Sequence, residues 1–284
     1  MSFSSPLIIN LAPTGMVPVR SQSPHVPLTP AEIIADALAC ARLGASMLHI
    51  HARDEQELPS DDVNIYAEII RGIRAQAPEL IIVTTTSGRR TPTVEKRASS
   101  LYLATDVKPD MASLTLGSMN FSREASINAP DTIMRLAEIM QENSIKPELE
   151  IFDLGMVNFA KVLISKGLIS PPYYFNIILG NPGTAQASLL HLATIVGDLP
   201  PDAIWSLGGT GKFQTTANGL GVLMGHGVRT GLEDNLWLDE GRTTLASNVQ
   251  LVQRIVAQAD ALGRSIATPA QVRDMLGLSK RAAI

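Results

Sequence analysis

The chain has 284 residues, 45% hydrophobic and 18% charged, with a formal net charge of −4. That length and apolar content can bury a large core, and with no basic block the composition argues against a nucleic-acid partner. The single cysteine, Cys40, leaves no internal disulfide to form and suits a reducing compartment.

In chain order, short β-like runs alternate with helical runs. Residues 7–11 form the first β-run. The residues around it lack the basic stretch of a secretory leader, and the apolar run is broken by Asn10 and Pro13. A long loop over 13–28 follows. Thr29-Pro30-Ala31-Glu32 then opens a helix, with Thr29 as N-cap and Pro30 in the first turn; it runs to Leu43 and stops at Gly44. The spacing predicts strands over 46–51, 80–85 and 111–116, with helices over 61–77, 91–105 and 130–142. Strands over 148–152, 173–179, 203–207 and 228–232 alternate with helices over 156–166, 184–196, 213–224 and 244–262. Gly219 and Gly221 weaken the seventh helix. A helical tail over 269–276 follows the N-cap Thr268. No stretch approaches the ~20 apolar residues of a membrane span. A soluble, cytoplasmic protein is expected.

No composition break marks a second domain, so 1–284 is expected to be one domain with a short C-terminal helical tail. Eight strand–helix units in this length predict an α/β fold, a closed (β/α)8 TIM barrel. An open doubly wound sheet is the competing architecture. Either way the strands pair in parallel through right-handed crossovers.

Barrel active sites lie at the C-terminal strand ends, and the ends here are polar. Strand two reads Leu48-His49-Ile50-His51-Ala52-Arg53-Asp54. In a strand, His49 and His51 share a face and can ligate one metal ion. Closure sets strands two and eight on either side of strand one, so Glu233 approaches the histidines across roughly 10 Å of backbone. Two histidines and a carboxylate around an open position form a common catalytic zinc set. Arg229 and Asp234 flank Glu233. They read equally as an oxyanion-stabilising arginine with a general base, or as a structural ion pair. Gly208 to Lys212 lacks the spacing of a Walker loop, although Gly-rich backbone there can still hold a phosphate. Cys40 reads as core, and His25, His191 and His226 lack metal-ligand spacing.

Four segments together resemble the β-keto acid cleavage enzyme family, which includes the 3-keto-5-aminohexanoate cleavage enzymes. They are residues 48–54, 111–121 (Met-Ala-Ser-Leu-Thr-Leu-Gly-Ser-Met-Asn-Phe), 150–153 (Glu-Ile-Phe-Asp) and 228–235 (Val-Arg-Thr-Gly-Leu-Glu-Asp-Asn). Residues 266–269 and 276–278 extend the similarity to the tail. The resemblance implies a (β/α)8 barrel, a homotetramer, and one divalent metal, typically zinc. It puts the metal on His49, His51 and Glu233, and the catalytic arginine and acid on Arg229 and Asp234. Substrate contacts are expected from Thr14, Gly15, Thr86, Ser87, Ser113 and Thr115. The implied reaction condenses a β-keto acid with acetyl-CoA as co-substrate, giving acetoacetate and a new acyl-CoA.

The loop over 13–30 contains no Asp or Glu but does contain Arg20 and His25, so a substrate tail that is neutral or anionic is expected. Two other functions compete. A zinc-dependent barrel hydrolase acting on an ester or amide would need further histidine ligands. A non-catalytic binding protein would leave Arg229 and Asp234 without a task.

Overall fold

The computed structural model of the chain describes residues 5–89, 93–122 and 124–281. Eight short strands carry the apolar runs: β1 (Ile8–Leu11), β2 (Met47–Ile50), β3 (Ile81–Thr84), β4 (Met111–Thr115), β5 (Lys146–Ile151), β6 (Tyr173–Leu179), β7 (Ala203–Gly209) and β8 (Gly227–Thr230). They pair in parallel and close into a barrel, with β1 hydrogen-bonded to both β2 and β8. Asn10 stands opposite Arg229 on one side and Met47 on the other. The architecture is the (β/α)8 barrel, not the open sheet.

Side-chain alternation divides the core into layers. Leu7, Ile9 and Leu11 face outward against the surrounding helices, with Ile33, Ile69 and Ile255. Ile8, Met47, Ile81, Met111 and Tyr174 face inward at the N-terminal end of the barrel, where Ala267, Val272 and Leu276 close the floor. Above that floor the interior becomes polar, with Asn10, Glu148, Asn176 and Ser206 all fully buried.

The helices are α1 (Pro30–Arg42), α2 (Val63–Arg74), α3 (Val94–Arg97), α4 (Pro130–Glu142), α5 (Leu154–Ser165), α6 (Leu189–Asp198), α7 (Phe213–Met224), α8 (Asn248–Ala261) and α9 (Pro269–Leu276). Thr29 and Glu32 form a reciprocal capping box on α1. On α9, Arg273 donates to Asp110 at 3.0 Å, tying the tail to the barrel floor. None of the described helices is long and apolar enough to cross a membrane.

The structure differs from expectation where local hydrogen bonds outcompete helix. The helix expected over 91–105 is the short α3 plus a 3-10 turn at Ser99–Tyr102; residues 90–92 lie outside the described set. Ser99 donates to the Asp61 carbonyl at 2.9 Å, and Ser100 to Thr84 Oγ1 at 2.9 Å, which pulls this segment onto its neighbours. The sixth and eighth helices start at Leu189 and Asn248 because Ser188 and Ser247 cap them. Gly221 does not break α7: a methyl group there would sit 2.8 Å from Val228 Cγ1, so its absence lets the helix lie close on the barrel.

Candidate functional site

His49 is the third residue of β2, pointing into the barrel, and His51 follows just past the strand end. Beyond it, Ala52–Arg53 turn into a small antiparallel ladder with Pro59–Ser60. The two imidazole rings lie 5.2 Å apart and the Nε2 atoms 3.2 Å apart. Glu148, from β5, holds His49 Nδ1 at 2.7 Å. A carboxylate only accepts, so Nδ1 carries the proton and the Nε2 lone pair of neutral His49 points at the shared space. Asn10 donates to the other Glu148 oxygen at 2.6 Å and Asn176 at 3.2 Å, fixing the carboxylate in turn.

Glu233 follows β8. Its Oε1 lies 3.4 Å from His51 Nε2 and accepts from Arg229 at 2.7 Å, while its buried Oε2 has no hydrogen-bond partner among the described residues. Gly15 sits against this side chain at φ +64, where any Cβ would come within 2.4 Å of Glu233 Cγ. The ligand atoms of His49, His51 and Glu233 all lie within 4.8 Å of one another. Two imidazole nitrogens and a carboxylate oxygen this close together fit a divalent ion, zinc by donor type.

Arg229 is the hub of the site. Its Nε donates to Asp234 at 2.8 Å, its Nη2 to Glu233, and its Nη1 to Glu150 at 3.3 Å. Thr115 donates to Glu150 at 2.7 Å. Four carboxylates (Glu148, Glu150, Glu233 and Asp234) thus surround one guanidinium and two imidazoles, a buried excess of negative charge that a divalent cation would balance.

These surroundings set the protonation states. Burial lowers His51 to about 4, keeping it neutral with a lone pair free to ligate. Burial also acts to lower His49, but the Glu148 and Glu233 carboxylates outweigh it and hold His49 near 8, so at neutral pH a metal ion would have to displace the Nε2 proton to reach that lone pair. Burial raises Asp234 above the usual carboxylate range despite Arg229 beside it. Arg229 keeps Glu233 well below that range, against its burial.

The remaining expected contacts fall in two groups. Ser87 and Thr115 line the cleft with Arg229 and both histidines. Thr14 and Thr86 donate their hydroxyls to the carbonyls of Pro27 (2.9 Å) and Ser113 (2.6 Å), and Ser113 Oγ accepts from the Thr86 amide. Arg20 lies in ion pairs with Glu32 and Glu57, so the charge of the 13–30 loop is spent on structure. Glu148 and Glu150 are not among the site residues expected from the sequence, although Glu150 opens one of the four resembling segments. Two acids at alternate positions of a buried barrel strand were the signal, because inward charge is rare unless it has partners. Among the described residues, no cluster of ligand-type side chains includes His25, His191 or His226, so the hydrolase reading lacks its further ligands.

The model of the family described as beta-keto acid cleavage enzyme matches residues 6–278. The 3-keto-5-aminohexanoate cleavage enzyme of Acetoanaerobium sticklandii is 33% identical over 275 residues, covering 96% of this chain and 99% of the relative. The 3-oxoadipate:acetyl-CoA acetyltransferase of Cupriavidus necator is 36% identical over 278 residues, covering 97% and 96%. In structure, a ternary complex of ObcA with a C4-CoA adduct and oxalate aligns at TM-score 0.77 and 22% identity, over 90% of this chain and 68% of that one, a likeness of fold. A full-length family match, relatives of matching length and a closed barrel with a polar C-terminal mouth lead to one conclusion: the chain belongs to the beta-keto acid cleavage enzyme family.

Proposed function

We propose that this enzyme condenses a β-keto acid with acetyl-CoA and cleaves the adduct to acetoacetate and a new acyl-CoA. The observation that carries the reading is the cluster of His49, His51 and Glu233, whose ligand atoms lie within 4.8 Å of one another, beside the Arg229–Asp234 pair. His49, His51 and Glu233 would hold a divalent ion, zinc by donor type, supplying Lewis-acid polarisation of a keto oxygen.

Asp234 acts as the base. Its raised pKa makes it a stronger acceptor than an exposed aspartate. It takes a proton from the carbon between the keto and carboxylate groups. The electron pair left on that carbon forms a bond to the acetyl carbonyl of acetyl-CoA, and the C–S bond breaks to release CoA thiolate. The thiolate attacks the original keto carbon. The original C–C bond then breaks, and acetoacetate leaves with the proton returned by Asp234. Arg229 offsets the negative charge that develops on the carbonyl oxygens. No side-chain nucleophile is required. Thr14, Gly15, Thr86, Ser87, Ser113 and Thr115 belong to the proposal as the surroundings of the substrate. So does a homotetramer in the cytoplasm, for which Leu189 and Leu190, 66% and 73% exposed on α6, offer apolar surface.

The label test is direct. Acetyl-CoA carrying 13C in both acetyl carbons should deliver the label to the methyl and keto carbons of acetoacetate, with none in the new acyl-CoA. Labelled free acetate in place of acetoacetate would mean hydrolysis and would overturn the reading.

A further inference from the structure

Asn248 opens α8, one residue after its Ser247 cap, and is fully buried. A buried amide costs stability unless its donors and its acceptor are met. Here all of them are. Its Oδ1 accepts from the Leu232 amide at 2.9 Å, and its Nδ2 donates to the Pro13 carbonyl at 3.1 Å and to Asp36 Oδ2 at 2.7 Å. The three partners come from the turn after β8, the loop after β1, and α1. The amide fits only one way round, because the reverse would turn its oxygen toward the Pro13 carbonyl and the Asp36 carboxylate.

Two of those partners support the candidate site. Leu232 directly precedes Glu233 and Asp234 in the chain. Pro13 stands two residues before Gly15, which packs on the Glu233 side chain. Where the turn and the loop meet, the Glu233 amide donates to the Ala12 carbonyl at 3.1 Å. On its far side the turn is held by the Gly211 amide, 2.7 Å from the Asp234 carbonyl, and by Gln214 of α7, which donates to the Gly231 carbonyl at 2.9 Å. Asn248 thus joins, from the helix layer, the turn that carries both acids to the loop that lies against one of them. A ligand or catalytic carboxylate has to stand within about 0.5 Å of its productive place, and a turn acquires that precision from fixed contacts of this kind.

Resting on the reading of Glu233 as a metal ligand, we infer that Asn248 is a positioning residue: its amide sets where Glu233 and Asp234 stand, and Asp36 sets the orientation of that amide. Asn248 touches no reacting atom. Its loss lets the turn and the loop part, and the Glu233 carboxylate shifts relative to His51.

The test compares Asn248→Ala with Val252→Ala, one turn further along α8, where a fully buried side chain packs in the apolar layer outside the strands and has no polar atom to offer the turn. Both changes should lower the melting temperature. Zinc affinity, read by competition with a chelating dye, should fall by about 10–100-fold in Asn248→Ala, the range for loss of an outer support of a metal ligand, and should stay near wild type in Val252→Ala. In Asn248→Ala kcat should fall with the KM for acetyl-CoA unchanged. Asn248→Ser, which leaves room for a water in place of the amide, should lie between and serves as the second variant where Asn248→Ala does not fold. Equal zinc affinities in the Asn248 and Val252 variants overturn the inference and leave Asn248 a residue of the fold alone. A crystal structure of the metal-free Asn248 variant separates positioning from metal binding. The Glu233 Oε1 to His51 Nε2 distance, now 3.4 Å, should change by about 0.5 Å or more. If the wild type binds no zinc but that distance changes, the metal reading falls and the positioning role stands. An unchanged distance overturns the positioning role whether or not zinc binds.

Discussion

Glu148→Gln tests whether the buried carboxylate sets the chemistry of His49. The side chain keeps its shape and loses one acceptor and its charge. Two orientations are open to the new amide. With its oxygen toward His49 Nδ1, its NH2 meets the donors Asn10 Nδ2 and Asn176 Nδ2, now at 2.6 and 3.2 Å from Glu148. Flipping those asparagines offers their oxygens, which lack partners at present, but strands their NH2 groups instead. With the NH2 toward His49, the imidazole must accept on Nδ1 and move its proton to Nε2, removing the lone pair that faces His51. Leaving a buried polar group unpaired costs about 1–3 kcal/mol, and loss of such a supporting carboxylate weakens metal binding by about 10–100-fold. Zinc affinity measured by competition with a chelating dye should fall by that factor. The melting temperature should fall by roughly 2–4 °C for each kcal/mol lost. Glu148→Ala should be worse, since it strands His49, Asn10 and Asn176 together. A folded Glu148→Gln enzyme that binds zinc as tightly as wild type would refute the reasoning.

Four further predictions follow from single contacts. Gly15→Ala forces a methyl group against Glu233 at a left-handed φ and should lose about 1–3 kcal/mol in denaturant unfolding, with weakened zinc binding. Arg229→Lys keeps the charge but not the fork that reaches Asp234, Glu233 and Glu150; kcat/KM should drop by about 100-fold or more, while the fold persists by circular dichroism. Burial raises Asp36 to about 6 in the folded chain, although Asn248 donates to it. Its protonated form favours folding, so stability attributable to Asp36 is full below about pH 4 and is lost as pH rises toward 6. Asp36→Asn should therefore gain about 1–2 kcal/mol at pH 7–8, a gain that fades by pH 4; a gain independent of pH would contradict this. Cys40 is fully buried with its thiol pushed up by that burial, so it should react with a disulfide reagent only at the rate of unfolding.

The barrel was legible because its strands are short apolar runs, each followed by a cap and a helix. Thr29 and Glu32 announced α1, and Thr268 announced α9, through local hydrogen bonds that involve no distant part of the chain. The segment over 91–105 was not legible in this way. Ser99 and Ser100 bind Asp61 and Thr84, residues far away in sequence. His49, His51 and Glu233 could be brought together from the sequence because barrel closure fixes which strands are neighbours. Glu148 stayed hidden because its partners come from β1, β2 and β6, and only coordinates show their side chains meeting. Arg20 shows the opposite failure: it looked available from its loop, yet Glu32 and Glu57 claim it across the fold.

The measurement that tests the account most directly combines metal content with product formation. The purified protein is assayed for zinc by elemental analysis, then given acetyl-CoA with a panel of β-keto acids that includes 3-oxoadipate. The account predicts about one zinc per chain, and acetoacetate formed with the new acyl-CoA in equal amounts only when both substrates are present. His49→Ala and Asp234→Asn should abolish both products. Zinc-loaded, folded protein that makes no acetoacetate across the panel, or that hydrolyses esters without CoA, would contradict it.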